Sequence, residues 1–401
     1  MPEDCKPLRI LGVVNLPLDG RLGAARVWIE LAQEWRAAGN IVEIYSLSDA
    51  FPEEAAPRAM RAIRQVLFAR KAAAFVRASG ARFDVVDALI GTLPFTKRSL
   101  RFAGLLVARS VGLYSLYEEF ERSVEKRWPG RPKGKIVGRI FYTLTRREWL
   151  RASQKSVRFA ELINVPNEGE RLHLREKSGV RQAIIVQPNG LTDKRLEALR
   201  DNAKPARARL AQQKICFIGM WSARKGALDW ARIVQRVRER IPQAKFSFLG
   251  TMVNQETVMR DLAPVSREGL EFVSHYEPDD LPKLLADCTV GAFPSYVEGF
   301  GLAVVEQIAA GIPTVAYDTA GPHDILASGL GDLLVPSGDV EAFAEAICRI
   351  LQLDLFAYEK LSQLSIEVSR EFSWTAIAKS TLDCYREQLL TAGATSQVSI
   401  A

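Results

Sequence analysis

The sequence predicts an α/β protein with two domains, each built on a parallel sheet. The chain has 401 residues, which is more than one ordinary hydrophobic core accommodates. Short apolar segments alternate with helix-like segments through both halves, as they do in parallel sheets with crossover helices. The residues are 48% hydrophobic and 25% charged, which is typical of a globular chain and not of a disordered one.

The amino-terminal half begins with a strand, a helix and a second strand. A strand is predicted over 8–14, a loop with Gly20 and Gly23 follows, and an amphipathic helix is predicted over about 24–38 before a strand over 41–47. The remaining strands of this half are predicted at 83–88, 104–109, 160–165 and 183–187. We therefore expect a first domain over residues 1–195.

The carboxyl-terminal half repeats this alternation. The turn Pro188-Asn189-Gly190 closes the first half, and the polar stretch 196–213 is interpreted as a linker. Further strands are predicted at 215–219, 245–249, 270–273, 290–293, 312–317 and 332–335. A second domain is expected over 214–372, followed by a last helix over about 373–390, with the two parallel sheets facing across a cleft.

Residues 293–318, FPSYVEGFGLAVVEQIAAGIPTVAYD, form the most informative segment. It is interpreted as a strand end, a turn with Glu298 and two glycines, a helix from Leu302, and then another strand. In this arrangement the N–H groups of Gly301 and Leu302 point into the crevice at the carboxyl end of a parallel strand. A helix N-terminus there favours a phosphate group.

Glu306 lies eight residues after Glu298, inside a helix whose other residues are mostly apolar. An ionised carboxylate buried there would cost on the order of several kcal/mol without a partner, so we expect something polar to meet it. A ribose diol is suitable, because a carboxylate accepts hydrogen bonds from both hydroxyls. The alternative is that Glu298 caps the helix and Glu306 faces solvent.

The loop GMWSARKGALDW, residues 219–230, carries two cations. Arg224 and Lys225 follow the strand that ends at Gly219 and precede a helix. Helix N-termini disfavour cations, so the pair indicates a functional role, although two solvated basic residues remain the alternative. Cations at this position would neutralise the charge on a departing nucleoside diphosphate.

The E-x7-E spacing in EGFGLAVVEQIAAG resembles the donor-site signature of the family-four retaining glycosyltransferases, the glycosyl transferases group 1. The Pro188-Asn189-Gly190 turn and the Phe372-Ser373-Trp374 segment are similar to those of the same family. The resemblance implies the B-type fold of two Rossmann-like domains. It also implies an amino-terminal acceptor domain, a carboxyl-terminal nucleotide-sugar donor domain, and a last helix that packs back on the first domain.

The resemblance further implies an enzyme that moves a sugar, and most simply a hexose, from a nucleoside-diphosphate sugar to a hydroxyl of a glycan or lipid-linked acceptor, with retained anomeric configuration. Surface polysaccharide or glycoconjugate biosynthesis is the expected context. The expected catalytic residues are Glu298, Lys225 and Arg224, and the expected donor-binding residues are Glu306, Gly301, Leu302, Phe300, Gly219, Gly23, Ser274, His275 and Tyr276. Because no Asp-x-Asp motif occurs, we expect no metal and no cofactor besides the nucleotide sugar, which is a co-substrate.

Two positions depart from the family pattern. Met220 stands where the family usually has an arginine, and Val111 stands where many relatives have a histidine near the donor sugar or acceptor. These departures leave open a catalytically impaired relative that binds a nucleotide sugar without turnover. A nucleotide-sugar epimerase of the same architecture is the other alternative.

The stretch 122–158 is strongly basic. It holds twelve Lys or Arg and two Glu, a net charge of +10 in a chain whose net charge is +7. Apolar residues from Trp128 to Leu150 are interleaved with these charges, so the stretch is suited to peripheral contact with an anionic membrane. No nucleic-acid-binding motif accompanies the charge, which disfavours a nucleic-acid partner, and a solvated basic face is the remaining alternative.

Several features predict a cytoplasmic protein with at most this peripheral contact at the inner face of the membrane. No run of about 18 apolar residues is long enough to span a bilayer. The first residues lack the basic and apolar segments of a signal peptide. The five cysteines are scattered and the three histidines lie far apart, which favours neither a disulfide framework nor a zinc site.

Overall fold

Short buried strands form two parallel sheets, each with six strands in the described part of the chain. This computed structural model describes residues 6–20, 23–52, 58–128 and 136–398. The chain divides into one unit of residues Met1–Pro188 and Trp374–Ala401 and a second unit of residues Asn189–Ser373. Each unit contains one sheet, so the predicted fold class of two Rossmann-like α/β domains is confirmed.

The sheet of the first unit has the strand order β2-β1-β3-β4-β5-β6. Its strands are β1 (Arg9–Val14), β2 (Ile41–Ser46), β3 (Val85–Leu89), β4 (Leu105–Arg109), β5 (Leu162–Val165) and β6 (Ala183–Val186). Every residue of β3, β4 and β5 is buried, as expected for central strands covered by helices on both faces. This burial explains why near-continuous apolar runs marked these strands in the sequence.

Helices cover both faces of this sheet. They are α1 (Gly23–Ala37), α2 (Leu47–Ala50), α3 (Arg58–Ser79), α4 (Lys97–Leu100), α5 (Tyr114–Arg127), α6 (Ile136–Phe159) and α7 (Glu168–Glu176). The last helix of the chain, α17 (Trp374–Val398), also belongs to the first unit and packs on α1.

A buried polar network holds α17 on the sheet of the first unit. The Tyr385 hydroxyl donates to Asp87 Oδ2 (2.6 Å) and accepts from Arg109 Nη2 (2.9 Å), while Arg109 Nε donates to the same Asp87 oxygen (2.9 Å). The Arg109 guanidinium lies 5.7 Å from the Trp28 ring centroid and 5.8 Å from that of Trp35. Burial disfavours the charge on Arg109, but Asp87 outweighs it and raises the pKa of the guanidinium.

The sheet of the second unit has the strand order β12-β11-β10-β7-β8-β9. Its strands are β7 (Lys214–Ile218), β8 (Lys245–Leu249), β9 (Leu270–Val273), β10 (Val290–Phe293), β11 (Thr314–Tyr317) and β12 (Leu334–Val335). The strand order reverses between β7 and β10, which are adjacent. In open α/β sheets, ligands bind beside the carboxyl ends of the strands at such a switch point.

The helices of the second unit include two in the region interpreted as a linker. They are α8 (Asp193–Asp201), α9 (Ala206–Gln212), α10 (Trp230–Arg240), α11 (Gln255–Asp261), α12 (Leu281–Leu285), α13 (Leu302–Ala309), α14 (Ala320–Leu326), α15 (Val340–Leu351) and α16 (Leu355–Ser369). Most of the stretch 196–213 is thus helical and part of the second unit. The buried Arg209 on α9 donates to Gly311 O (2.7 Å) and to Ser362 Oγ (2.8 Å), which anchors the stretch to this unit.

Helix α13 ends as the sequence predicts. Gly311 has a φ of +66°, the left-handed conformation that favours glycine after a helix. Strand β11 begins at Thr314, two residues later than predicted, because Pro313 has no N–H to contribute to a ladder. Among the described residues, no helix combines the length and the apolar character needed to cross a membrane.

Candidate functional site

Two loops meet at the switch point of the second unit. One follows β7 and carries Arg224 and Lys225, and the other follows β10 and carries Ser295 and Glu298. The two loops are joined through their backbones, since Tyr296 N donates to Arg224 O (2.8 Å). The residues that the sequence marked as candidates for catalysis therefore lie on two loops held in contact.

Three side chains converge on one oxygen of Glu298. Lys225 Nζ lies 2.7 Å from Oε1 and Arg224 Nη1 lies 2.9 Å from it, while the Ser295 hydroxyl also donates to it. The Glu298 side chain is 9% exposed and that of Lys225 is 13% exposed. Within the described residues, all hydrogen bonds to this carboxylate end on Oε1.

The protonation states of this cluster follow from the competition between burial and pairing. Burial disfavours the ionised form of Glu298, but Lys225 and then Arg224 outweigh it and lower the pKa of the carboxyl below its ordinary value. Burial lowers the pKa of Lys225, and Glu298 offsets only part of this effect. Glu298 is thus a carboxylate at neutral pH, and the charge of Lys225 depends on it.

Glycines and an aromatic ring shape the position of Lys225. Its ammonium lies 4.7 Å from the centroid of the Phe293 ring, within cation–π range. Gly226 has a φ of +78°, and a Cβ there would lie 2.2 Å from Pro294 O. The two loops approach this closely only because residue 226 has no side chain.

A buried carboxylate that sequence reasoning missed connects three segments around this cluster. Asp229 Oδ2, just before α10, accepts from the hydroxyls of Tyr296 (2.6 Å) and Tyr317 (2.9 Å). Tyr296 is two residues before Glu298, so Asp229 fixes the loop that presents Glu298. The only signal in the sequence was an acidic residue at the start of a helix, which ordinary capping also accounts for.

The helix that begins beside this cluster is α13, with Gly301 at its N-cap in the left-handed conformation (φ +103°). Gly301, Leu302 and the residue after it lie in the first turn, where backbone N–H groups have no helical acceptor. The side chain of Phe300 is buried and packs on Phe372, with ring centroids 5.6 Å apart. The role of Phe300 in donor binding stays a prediction.

Glu306 lies in the middle of α13 and is buried, as expected. The predicted polar partner is present and is the side chain of Arg195, whose Nε (3.1 Å) and Nη2 (2.9 Å) both donate to Glu306 Oε1. Arg195 is on α8, 111 residues away along the chain, so nothing local in the sequence linked the two. The role of Glu306 toward a ribose remains a prediction.

The remaining donor-site candidates of the second unit lie at the ends of β7 and β9. Gly219 follows β7, and a Cβ there would lie 3.7 Å from Lys225 Cε. Beyond β9, Ser274 O accepts from Met252 N (3.0 Å), and the exposed His275 ring contacts the Ser274 hydroxyl (3.2 Å). In the sheet, β9, which precedes Ser274, His275 and Tyr276, is two strands from β7 and three strands from β10. Its role in binding stays a prediction.

The candidates of the amino-terminal half lie in the first unit. Gly23 is the first residue of α1, and the preceding residues 21–22 of the predicted glycine loop lie outside the described residues. Val111, at the position where relatives have a histidine, packs on an apolar cluster that includes Trp28 and Leu89. No titratable side chain is therefore supplied by residue 111.

A buried glutamate orders the loop around Val111. Glu170 Oε2 accepts from the Ser110 hydroxyl (2.5 Å), and Oε1 accepts from Leu113 N (3.0 Å). Burial raises the pKa of Glu170 to about 8, although both hydrogen bonds oppose this shift. Sequence reasoning did not identify this residue, because it lies 57 residues from Leu113.

Comparison with known proteins finds a family match in the second unit. Residues 212–353 match the family described as glycosyl transferases group 1. The match lies within the second unit. The matched residues include both loops of the cluster and helix α13, so the resemblance seen in the sequence is confirmed where its motifs lie.

Named relatives match only part of this chain. It is 36% identical over 117 residues to a D-inositol 3-phosphate glycosyltransferase of Nocardioides sp., which is 29% of this chain and 25% of that protein. It is 25% identical over 204 residues to a glycogen synthase of Mycobacterium tuberculosis, which is 50% of this chain and 48% of that protein. The matched regions thus span between a quarter and half of these relatives.

Solved structures match the fold of this chain over nearly its full length. A sucrose-phosphate synthase from Thermosynechococcus elongatus gives a TM-score of 0.73 at 18% identity, covering 96% of this chain and 100% of that chain. Anabaena Alr3699/HepE in complex with UDP gives a TM-score of 0.63 at 15% identity, covering 95% of this chain and 100% of that chain. Identities this low show the shared fold alone.

In the part of the chain that the structure describes, no cluster of three or more His, Cys, Asp or Glu is arranged to hold a metal ion. The cations nearest to Glu298 are instead the side chains of Arg224 and Lys225.

Proposed function

We propose that this protein transfers a hexose from a nucleoside-diphosphate sugar to a hydroxyl of a glycan or lipid-linked acceptor, with retained anomeric configuration and without a metal. The observation that carries the proposal is the convergence of Lys225 and Arg224 on Glu298 at the switch point, beside the N-terminus of α13. Two cations and a helix N-terminus are suited to bind a diphosphate, and the carboxylate beside them is suited to accept hydrogen bonds from sugar hydroxyls.

The donor would bind with its diphosphate at the N–H groups of Gly301 and Leu302 and at the cations of Lys225 and Arg224. In the transfer step, the bond between the anomeric carbon and the β-phosphate oxygen breaks and its electron pair stays on the phosphate. The acceptor hydroxyl attacks the anomeric carbon from the same face and passes its proton to that phosphate oxygen. Lys225 and Arg224 stabilise the charge that develops on the leaving diphosphate.

The two carboxylates have separate roles in this proposal. Glu298 accepts from hydroxyls of the donor sugar through Oε2 while Oε1 stays bound to Lys225, Arg224 and Ser295. Glu306 accepts from the ribose hydroxyls. The nucleoside diphosphate is consumed and released as a co-substrate, so no further cofactor takes part.

A non-catalytic nucleotide-sugar-binding protein is the second candidate, and one observation favours it. Met220 stands in place of the arginine that the family usually has, and it is 50% exposed and uncharged, so it supplies no cation to a diphosphate. Arg224 contacts Glu298 directly and offers the replacement charge. This direct contact is why we prefer the enzyme.

Titration calorimetry with UDP, GDP and ADP, followed by product analysis with the corresponding sugar donors, tests the proposal. We expect one nucleoside diphosphate to bind in the presence of a metal chelator and its sugar donor to yield an α-linked product. Binding without turnover over a panel of acceptors would favour the non-catalytic protein. An epimerised free donor would identify an epimerase, and a β-linked product would contradict retention.

A cytoplasmic location and peripheral contact with anionic membrane, in support of surface polysaccharide assembly, are further parts of this proposal. Lys126 on α5 and Arg151, Lys155 and Arg158 on α6 are exposed in the first unit. Residues 129–135 lie outside the described residues, as do the side chains over 136–146, so most of the interleaved apolar residues are not described.

Flotation with liposomes measures this contact. We expect the protein to float with vesicles containing anionic lipid and not with neutral vesicles, and 0.5 M salt should release it, since each basic residue contributes about 1 kcal/mol through a screened interaction. Charge reversal of Arg151 and Lys155 to glutamate should weaken flotation, whereas Lys283→Glu in the second unit should not. Equal flotation with neutral vesicles would contradict an electrostatic contact.

A further inference from the structure

Arg195 is a buried cation that the proposed transfer step does not use. It lies in the first turn of α8, where Thr192 Oγ1 accepts from its backbone N–H (3.3 Å) and fixes the start of the helix. Its side chain is 10% exposed and reaches Glu306, whose side chain is 5% exposed. Both Nε and Nη2 donate to the same carboxylate oxygen, at 3.1 Å and 2.9 Å.

The third donor of this guanidinium reaches a different segment. Arg195 Nη1 donates to Pro278 O (2.9 Å), in the segment between β9 and α12. That segment directly follows Ser274, His275 and Tyr276, which are candidates for donor binding. One side chain thus connects the middle of α13 to the backbone that leaves the loop after β9.

We propose that Arg195 is a positioning residue that holds Glu306 in the orientation and charge state needed to bind the ribose of the nucleotide donor. This inference rests on the proposed function, because it requires a nucleotide at α13. Two donors on one oxygen fix the rotamer of the carboxylate and keep it ionised, so that it accepts hydrogen bonds and donates none.

Charge balance gives a second reason for the pair. Glu306 is four residues after Leu302, which corresponds to about 6 Å along the helix axis. A lone carboxylate at that distance would repel a diphosphate bound at the start of α13, and the surrounding low dielectric would strengthen the repulsion. The positive charge of Arg195 balances the negative charge of the Glu306 carboxylate. The helix can therefore offer a hydrogen-bond acceptor to the ribose hydroxyls without repelling the diphosphate.

Stability alone does not account for the pair. A buried ion pair often contributes no more than apolar residues of similar volume would, because two charges lose their hydration. A role in binding predicts an effect on one part of the ligand, the ribose hydroxyls, whereas a structural role predicts an equal effect on all ligands. A ligand that lacks those hydroxyls distinguishes the binding role from the structural role.

The test compares Arg195→Met with Glu306→Gln and with the double variant. Calorimetry measures the affinity of each for UDP, GDP or ADP, whichever the wild type binds most tightly, and for the 2′,3′-dideoxy form of the same nucleotide. We expect the wild type to prefer the ribose form by about 10–100-fold, as hydrogen bonds to a charged acceptor allow. Arg195→Met should reduce this preference to about threefold or less and leave the affinity for the dideoxy form within about threefold of the wild-type value.

The double variant should show no further loss of this preference beyond that of Glu306→Gln, because both changes remove one function. Arg200→Met is the matched control, since Arg200 is exposed on the same helix and pairs with the exposed Asp201. It should keep the full preference for the ribose form. If Arg195→Met does not fold, Arg195→Lys replaces it, and we expect an intermediate preference because one ammonium does not reproduce the fork of donors.

Each other outcome overturns a defined statement. If none of the three nucleotides binds the wild type, the proposed function fails, and the role of Arg195 fails with it. If the wild type binds a nucleotide but does not prefer the ribose form, the donor site stands and the role of Arg195 is wrong. If the Arg195 variant loses affinity equally for the ribose and dideoxy forms, Arg195 has only a structural role.

Discussion

Replacing Lys225 by methionine is expected to lower kcat by about 10²–10³, or roughly 2.7–4 kcal/mol of transition-state stabilisation. Lys225 is the cation closest to Glu298, at 2.7 Å, and it is almost fully buried beside the Phe293 ring. In the proposed transfer step, its charge interacts with a leaving diphosphate whose negative charge grows as the glycosidic bond breaks. Because this interaction is strongest in the transition state, kcat and kcat/KM should fall together.

Initial-rate kinetics with the donor found by titration measure this effect. Lys283→Met, a change at an exposed lysine of the same unit, is the control and should leave kcat unchanged within error. Arg224 still pairs with Glu298 in the Lys225 variant, so the carboxylate is not left unpaired, and circular dichroism should show a folded protein. A kcat within threefold of the wild-type value would exclude Lys225 from stabilising the leaving group.

Most of the architecture around this lysine was predictable because it depends on local patterns. Every strand of both sheets begins within two residues of its predicted start, since buried parallel strands are nearly continuous apolar runs bounded by polar turns. The left-handed Gly311 after α13 was also predictable from a local pattern, which is a glycine just after the last residue of a helix. The polar composition of 196–213 led to its interpretation as a helix-prone linker, and it did not indicate that Arg209 on α9 is buried in the second unit.

The site was predictable where its chemistry lies in short motifs. Lys225, Arg224 and Glu298 were expected in one site, and they share one carboxylate oxygen in the structure. Arg195 and Asp229 were missed because their partners lie far along the chain. A basic residue in the helix after a Pro-Asn-Gly turn, combined with a glutamate in an otherwise apolar helix, is a signal that would have suggested the first pair.

The missed residues share one physical property, which is that they support side chains proposed to contact the donor. Asp229 fixes the loop of Glu298 through Tyr296, and Arg195 fixes Glu306. A buried carboxylate needs such a partner wherever it occurs, so the need is predictable although the identity of the partner is not. The dependence of Lys225 on Glu298 follows the same rule and leads to a change in pH dependence.

Replacing Glu298 by glutamine should shift the alkaline limb of the pH–rate profile to lower pH by about 1–3 units. Burial lowers the pKa of Lys225, and the Glu298 carboxylate raises it again, so removing the negative charge removes the opposing effect. The pKa of Lys225 therefore falls further, and the lysine loses its proton at a lower pH than in the wild type. Since the charged lysine is the form proposed to stabilise the leaving diphosphate, activity should be lost at that lower pH.

The acid limb should respond differently. Glu298 has a pKa below its ordinary value, because Lys225 and Arg224 outweigh the effect of burial, so it stays ionised until the pH falls below the usual range of a glutamate. An acid limb near neutral pH in the wild type would consequently belong to another group and should persist in Glu298→Gln. Glu277→Gln, at an exposed residue of the same unit, should leave both limbs unchanged.

The measurement is kcat/KM for the donor between pH 6 and 10, which reports the titration of the free enzyme. At its optimum, Glu298→Gln should be slower than the wild type by about 10²-fold, because the glutamine neither keeps Lys225 charged nor accepts as strongly from sugar hydroxyls. A lower maximum of kcat/KM without a shift of the alkaline limb would mean that this limb does not report the titration of Lys225. A shift of the alkaline limb to higher pH would mean that removing Glu298 raises the pKa of the group that titrates there. A cation paired with this carboxylate would instead have its pKa lowered, so such a shift would contradict the assignment of this limb to Lys225.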